Sequence, residues 1–447
     1  MKNHSKSQQP IIYFLLLLMN LYLPPRILSQ SNPKQAQKLA IRCGLLINGI
    51  SNSPTINAVI LIEGEQIIKV GQDIPIPVAA KVIDLSEYTI LPGLIDTHTH
   101  ICLTPDYHIK NPVLYKSIPY RTIEGAHNAR LNLEAGFTTL RDVDSEGADF
   151  ADVAIRDAIN QGLIIGPRLQ VSTMALSITG GHMNITGLAP HIEVPQLAAI
   201  ADTPQEKLKE VRRQIKYGAD WIKLYTTGTL KHINPKTLEP LSQMTLDEVG
   251  LIVEECKRWN IPVAAHAYGG EGATVAILGG VRSIEHGFFL TEEQLKAMAE
   301  RGTFWSPTLS VYLPDTEEER NDPLRKEIVK SHKQAFKKAL QIGVKIAFGT
   351  DVGALQHGTS AKEFQLMVDY GMKPMDAIKS ATTVAAELMG WEDQIGSIDE
   401  GKFADIIAVK GNPLTDISVL QHVVLVIKGG QVIKDETNKV SANTTNN

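Results

Sequence analysis

From about Leu39 to Ile90 the chain is a series of short apolar runs broken by turn residues. Ala58–Glu63, Gln66–Val70 and Lys81–Leu85 are separated by Gly64, Gly71-Gln72-Asp73 and Ser86-Glu87. Alternation without helical periodicity predicts a small antiparallel sheet. The far end reads alike: Ala404–Lys410 and Val423–Lys428 are strand-like, and Gly429-Gly430 turns the chain into Gln431–Lys434. Two such stretches at opposite ends of a chain can pair into one domain. Between them the rhythm changes. Amphipathic segments (Thr122–Ala135, Thr203–Tyr217, Thr245–Trp259, Thr291–Arg301, Pro323–Ile342) alternate with apolar runs. The runs are Thr89–His98, Thr138–Val143, Arg168–Ser172, Trp221–Thr226, Pro262–Ala267, Ser283–His286, Thr303–Thr308 and Lys345–Thr350. Strands spaced by helices pair in parallel through crossovers. This pattern predicts an α/β fold, a (β/α)8 TIM-type barrel over residues 92–397. The competing architecture is an open doubly wound sheet, but the G-x-G-x-x-G fingerprint such a sheet often carries is absent.

Composition narrows the classes. The 447 residues are 43% hydrophobic and 21% charged, which excludes a disordered chain. A net charge of −5 leaves no basic excess for nucleic acid. Residues 1–30 read as a signal peptide: Lys2 and Lys6 precede the apolar run Ile11–Leu23, which is too short to span a bilayer. Cleavage is expected near residues 29–31, giving an exported periplasmic or extracellular protein without a membrane span; an uncleaved anchor is the other reading. Residues 437–447 are polar and are expected to form a disordered tail. Cys43, Cys102 and Cys256 are too few for a disulfide framework. Homo-oligomerisation stays open.

The chemistry begins at Leu91-Pro-Gly-Leu-Ile-Asp-Thr-His98-Thr-His100. Residues two apart on a strand share a face, so His98 and His100 present two imidazoles together. Lys223, in Trp221-Ile-Lys-Leu-Tyr-Thr, sits inside an apolar parallel strand, where an ammonium is costly. A salt bridge or a snorkelling stem would satisfy it. Alternatively, the desolvated amine adds carbon dioxide and becomes a carbamate, an anionic ligand able to bridge two metal ions. His266, His286 and Asp351 also end strand-like runs. Each alone is compatible with a structural role. Together, six metal-compatible groups fall at the strand ends where barrel active sites form.

The block Leu91–His100, Gly136-Phe-Thr-Thr-Leu-Arg-Asp142, Ile222-Lys223, His266, Glu285-His286-Gly287 and Gly349-Thr-Asp351 together resemble the amidohydrolase superfamily. Within the superfamily the sequence looks most like the binuclear-zinc, Xaa-Pro dipeptidase-like (prolidase-like) members, with imidazolonepropionase a nearby relative. The resemblance covers about residues 40–435. It implies a composite β-sandwich built from residues 38–91 and 398–436 beside the barrel. It also implies two divalent metal ions, taken as zinc. His98, His100 and Asp351 would hold one ion and His266 and His286 the other, with Lys223 bridging as N6-carboxylysine. A metal-bridging hydroxide would attack the substrate, with Asp351 as general base and then acid.

The implied activity is hydrolysis of a C–N bond in a small molecule, a dipeptide such as Xaa-Pro or an N-acyl amino acid. Hydrolysis of cyclic amides, lactones or amidines is the alternative, and an inactive binding protein on the same barrel is a third reading. His182, in Ser177-Ile-Thr-Gly-Gly-His-Met-Asn, Tyr225, Arg141 and His357 are candidate substrate contacts. Their bland readings are a solvated loop histidine, a packing tyrosine, an ion pair of Arg141 with Asp142 or Asp144, and a loop residue. Cys102 is read as a buried inert thiol rather than an extra ligand. The chain departs from the superfamily pattern at His266-Ala-Tyr268-Gly269 and at Thr226-Thr-Gly-Thr-Leu-Lys231-His232, both on the expected substrate side.

Overall fold

A computed structural model describes residues 38–437, so the signal peptide and nearly all of the polar tail expected from the sequence lie outside the described residues. The strands in chain order are β1 Lys38–Leu46, β2 Thr55–Ile56, β3 Val59–Glu63, β4 Gln66–Gly71, β5 Lys81–Pro92, β6 Leu94–Thr99, β7 Phe137–Asp142, β8 Arg168–Val171 and β9 Leu176–Ser177. They continue as β10 Ala199–Ile200, β11 Ile222–Tyr225, β12 Val263–Gly269, β13 Ser283–Phe289, β14 Phe304–Ser306, β15 Ile406–Lys410, β16 Val423–Lys428 and β17 Gln431–Asp435.

The two ends of the chain meet in one sheet of order β17-β16-β15-β5-β1-β3-β4, with β2 added on β1. Its junction is β5, which pairs antiparallel with β15 (Ile406 opposite Pro92). On its other side β5 pairs parallel with β1 (Ile41 opposite Ile83). The sheet is therefore mixed, not purely antiparallel as the alternation suggested. Alternation reports which face is buried, and it is silent on strand direction. Ile41, Ile60, Leu85, Ile90, Ile406 and Leu425 fill its core.

Strands β6 to β14 form two sets, β6-β7-β8 and β10-β9-β11-β12-β13-β14, all pairing in parallel. β6, β7, β11 and β12 are buried at every position, as expected of strands covered on both faces. Backbone bonds join the sets on both sides. Asp220 N donates to Val171 O at 2.8 Å. Opposite, residues 345–351 run between β14 and β6: Trp305 N donates to Lys345 O, Thr97 N to Phe348 O (both 2.9 Å), and Asp351 N to His98 O at 2.8 Å. The run Lys345–Thr350 was expected as an eighth strand. It is held by these bonds and by an isolated bridge of Ile346 to Trp305 instead of a continuous ladder. The chain turns out of the strand at Asp351, whose φ is +69°.

The helices begin where polar caps announce them. Thr203 with Glu206, Thr245 with Glu248 and Thr291 with Gln294 form reciprocal capping boxes at Pro204–Lys216, Leu246–Lys257 and Glu292–Arg301. Each cap satisfies amide groups that the first turn leaves open, worth about 1 kcal/mol. Among the described residues, no helix is long and apolar enough to cross a membrane.

Candidate active site

The proposed ligands sit in or just beyond the parallel strands and the run that joins them. His98 lies in β6 and His100 one residue beyond it, Lys223 in β11, His266 in β12, His286 in β13, and Asp351 at the end of the run from Lys345. Strand register carries neighbouring groups to one level: Lys223 is opposite Ala264, Tyr225 opposite His266, and His266 opposite Glu285. His286 and Asp351 hold φ of +71° and +69°. Such conformations cost L-residues of this kind free energy, and surrounding structure must over-determine them.

The imidazoles form a chain. Ring centroids are 5.2 Å apart for His98–His100, 4.8 Å for His98–His286 and 4.6 Å for His266–His286. Asp351 Oδ1 lies 3.1 Å from His100 Nε2 and 3.7 Å from His98 Nε2. Three of these rings are aimed by a bond at the other nitrogen. His98 Nδ1 donates to Glu285 at 2.7 Å, His100 Nδ1 donates to the Asp144 carbonyl at 3.1 Å, and His286 Nδ1 bonds Thr308 Oγ1 at 2.9 Å. This fixing of the far nitrogen is how metal-binding histidines are oriented.

Two observations test whether a cation fits. His98 Nε2 and His266 Nε2 are buried without any hydrogen-bond partner, a costly state unless something completes them. Ligand atoms of His98, His286 and Asp351 all lie within 4.8 Å of one another. The donor set of neutral imidazole and carboxylate suits a divalent ion. The trio draws on both groups that the resemblance implies, His98 and Asp351 from one and His286 from the other, and His100 Nε2 lies beside Asp351 Oδ1 as well.

Electrostatics agree with neutral rings at the orphaned positions. Burial, and next the charge of Lys223, lower His98 to about 4. Burial also holds His266 and His286 well below the usual range. His100 differs: burial opposes its charge, but the hydrogen bond to Asp351 and that carboxylate's charge outweigh burial and raise it to about 10. Burial works against Asp351 ionising too, yet His100 and His98 hold its carboxyl far below the usual range. Lys223 is 1% exposed, and burial lowers its pKa, so its free amine is more available.

The substrate candidates separate. His182 comes to the site, its ring 4.1 Å from His266 and stacked 4.3 Å from Tyr225. Burial lowers it to about 3, so it is a neutral donor or acceptor and not a cation. Tyr225 is brought to the site, but its hydroxyl donates to Asp144 at 2.7 Å. Arg141 does not face a ligand. It is fully enclosed and pairs with Glu285 at 2.8 Å, not with Asp142 or Asp144, while it also donates to Ser283 and to the Thr97 carbonyl. His357 is also used up, accepting from Asn132 at 3.1 Å and donating to the Leu103 carbonyl at 3.0 Å.

Glu285 was not given a role by sequence reasoning. Its signal was available: an acid on a fully buried strand, next to a candidate ligand. The pair it makes with Arg141 holds His98 by one oxygen. Removing its charge leaves a buried guanidinium uncompensated, so Glu285→Gln is expected to cost about 3 kcal/mol in urea unfolding. Gly349 is the other silent support. A Cβ there would stand 2.0 Å from Ser306 Oγ and 2.9 Å from His98 Cβ. Gly349→Ala is expected to destabilise the protein by roughly 1–3 kcal/mol, measured by urea unfolding.

Imidazoles, a desolvated lysine and a carboxylate are gathered over the parallel strands of an α/β fold. The chain belongs to the amidohydrolase family, which residues 89–433 match. Ochratoxinase of Aspergillus niger is 34% identical over 452 residues, covering 93% of this chain and 90% of that protein. The crystal structure of a Xaa-Pro dipeptidase with methionine bound in its active site superposes with a TM-score of 0.80 at 36% identity, over 89% of this chain and 100% of that one. Imidazolonepropionase of Cutibacterium acnes is more distant, 24% identical over 368 residues, with 79% of this chain and 84% of that protein covered. The family and these likenesses support hydrolysis of an amide bond.

Proposed function

We propose that the protein is a binuclear metal-dependent amidohydrolase that cleaves the amide of a dipeptide such as Xaa-Pro, or of an N-acyl amino acid. The observation carrying this reading is the pair of buried, unpartnered nitrogens His98 Nε2 and His266 Nε2, set among His100, His286, Asp351 and Lys223. His98, His100 and Asp351 would hold one ion, His266 and His286 the other, and Lys223, as the carbamate, would bridge them. Bound divalent ions supply Lewis acidity, which lowers the pKa of water and polarises the scissile carbonyl. Asp351 takes the proton of the attacking water and returns it to the leaving nitrogen, which must depart neutral. His182, neutral and beside His266, is the donor for the oxygen that gains charge. We also read the two parallel strand sets as one (β/α)8 barrel flanked by a composite β-sandwich.

The test is a kinetic screen of protein reconstituted with zinc and bicarbonate. The panel holds Xaa-Pro and other dipeptides, N-acyl amino acids, lactones and cyclic amides. Turnover of linear amides above the other classes is expected, with loss of activity on chelation and recovery on adding zinc. Activity confined to lactones or cyclic amides would favour the alternative chemistry, and activity indifferent to chelation would remove the metal from the reading.

A further inference from the structure

The helix Ile118–Glu134 is built against the usual pattern. A surface helix turns its apolar stripe to the core and its polar side chains to water. Here the buried face carries Arg121, Asn128 and Asn132. Arg121 donates to the carbonyls of Cys102 and Ser145, Asn128 donates to the Ile101 carbonyl at 2.9 Å, and Asn132 accepts from Gly358 N at 2.7 Å. Tyr120 and Ile123 are turned to water instead, Ile118 opens the helix in the same state, and the stretch before it adds Ile109, Leu114 and Tyr115. Ile109, Tyr115 and Ile123 are 84%, 72% and 73% exposed, and the other three about half. Lys116 ties the stretch to the helix: its Nζ bonds Thr104 Oγ1 at 3.1 Å and Glu124 at 2.8 Å, and lies 5.9 Å from the centre of the Tyr120 ring. Further along the outward face Arg130 pairs with Glu134 at 2.8 Å, so the apolar surface ends in a polar border.

With whole-residue surfaces of roughly 200–250 Å2, these six residues leave about 800 Å2 in water. That exceeds the largest apolar patch of a typical monomer, about 300–600 Å2, and equals one partner's share of a standard interface, about 800 Å2. We propose that Ile109–Ile123 is the contact through which two copies of this chain pair about a two-fold axis. Charge selects this occupant. Residues 109–123 hold no acid and three cations. Lys116 is paired with Glu124 and Arg121 is enclosed, which leaves Lys110 facing water. In a two-fold contact a residue near the axis meets its own copy, so a charged centre repels itself and a neutral one does not. An anionic lipid surface is matched by basic residues around an apolar face, and here two of the three are already committed. Tyr115 and Tyr120 supply the anchors, because large side chains with an apolar body and a polar tip dominate the centres of such interfaces.

The experiment is sedimentation velocity of the zinc-reconstituted protein over a range of concentrations. Wild type is expected to run at micromolar concentration as a dimer or an even multiple of one. Ile123→Glu is expected to halve that mass and to weaken pairing by about thirtyfold or more, the usual effect of losing an interface anchor. Tyr115→Glu is expected to act alike. Leu163→Glu changes an equally exposed apolar residue outside the stretch, at 73%, and should leave the mass as it is. Far-UV circular dichroism reports whether each variant has folded. Carbene footprinting of wild type needs no variant: labelling of Tyr115, Tyr120 and Ile123 is expected to fall between protein diluted to the monomer and the assembled protein. A wild-type monomer at micromolar concentration, labelling that assembly does not change, or an assembly whose mass survives both Ile123→Glu and Tyr115→Glu would overturn the proposal. A monomer that binds phosphatidylglycerol vesicles, and loses them in Ile123→Glu, would put a membrane in place of the second copy.

Discussion

Asp351→Asn is expected to fold, to bind metal less tightly, and to lose about a hundred- to ten-thousand-fold in kcat. The fold should survive because Asn tolerates the left-handed backbone that Asp351 adopts, and the amide can still bond His100 Nε2. The carboxylate does two things that the amide cannot. It stays ionised beside His98 and His100, and it can carry a proton from water to the leaving nitrogen. Thermal melting and metal analysis report the first consequence, and turnover at saturating substrate the second. A metal-replete Asp351→Asn enzyme with near wild-type kcat would sink the assignment of Asp351 as base and acid.

Lys223→Met should separate catalysis from stability. The amine is enclosed, and burial disfavours its charge, with Glu285, Asp144 and Asp351 opposing only in part. Met fills much of the same volume without a charge to desolvate, so the melting temperature is expected to hold or rise. Without an amine no carbamate could form, and the bridging ligand proposed above would be lost. Loss of partners that merely orient ligands costs about 10- to 100-fold in metal affinity or activity, so losing a bridging ligand should cost about 100-fold or more. Reactivation of wild-type apoenzyme by zinc should also depend on bicarbonate. Full metal content and activity in Lys223→Met would remove the carbamate from the site.

Much of this arrangement was readable before any coordinates. Strand and helix positions followed from apolar runs and amphipathic segments, because both are local rules of burial. The nearness of His98, His100, His266 and His286 is in keeping with their place in successive runs. Arg141 shows where such reading stops. From its place at the end of β7 it could face a ligand or an acid nearby in sequence. Its partner is Glu285, far along the chain and brought close only by strand packing. His357 is similar: a loop histidine looks available until Asn132 and Leu103 are folded against it.

The sequence by itself determined the alternation of strand and helix, the residues able to bind a cation, and the depth at which Lys223 must lie, since these depend on periodicity and on the cost of burying charge. Only the tertiary structure decided which side chains remain free to act. It committed Arg141 to Glu285 and Tyr225 to Asp144, and it left His98 Nε2 and His266 Nε2 without partners. The physical reason is that a hydrogen bond or ion pair across the fold joins residues far apart in the chain, and no local pattern records which of them it will consume.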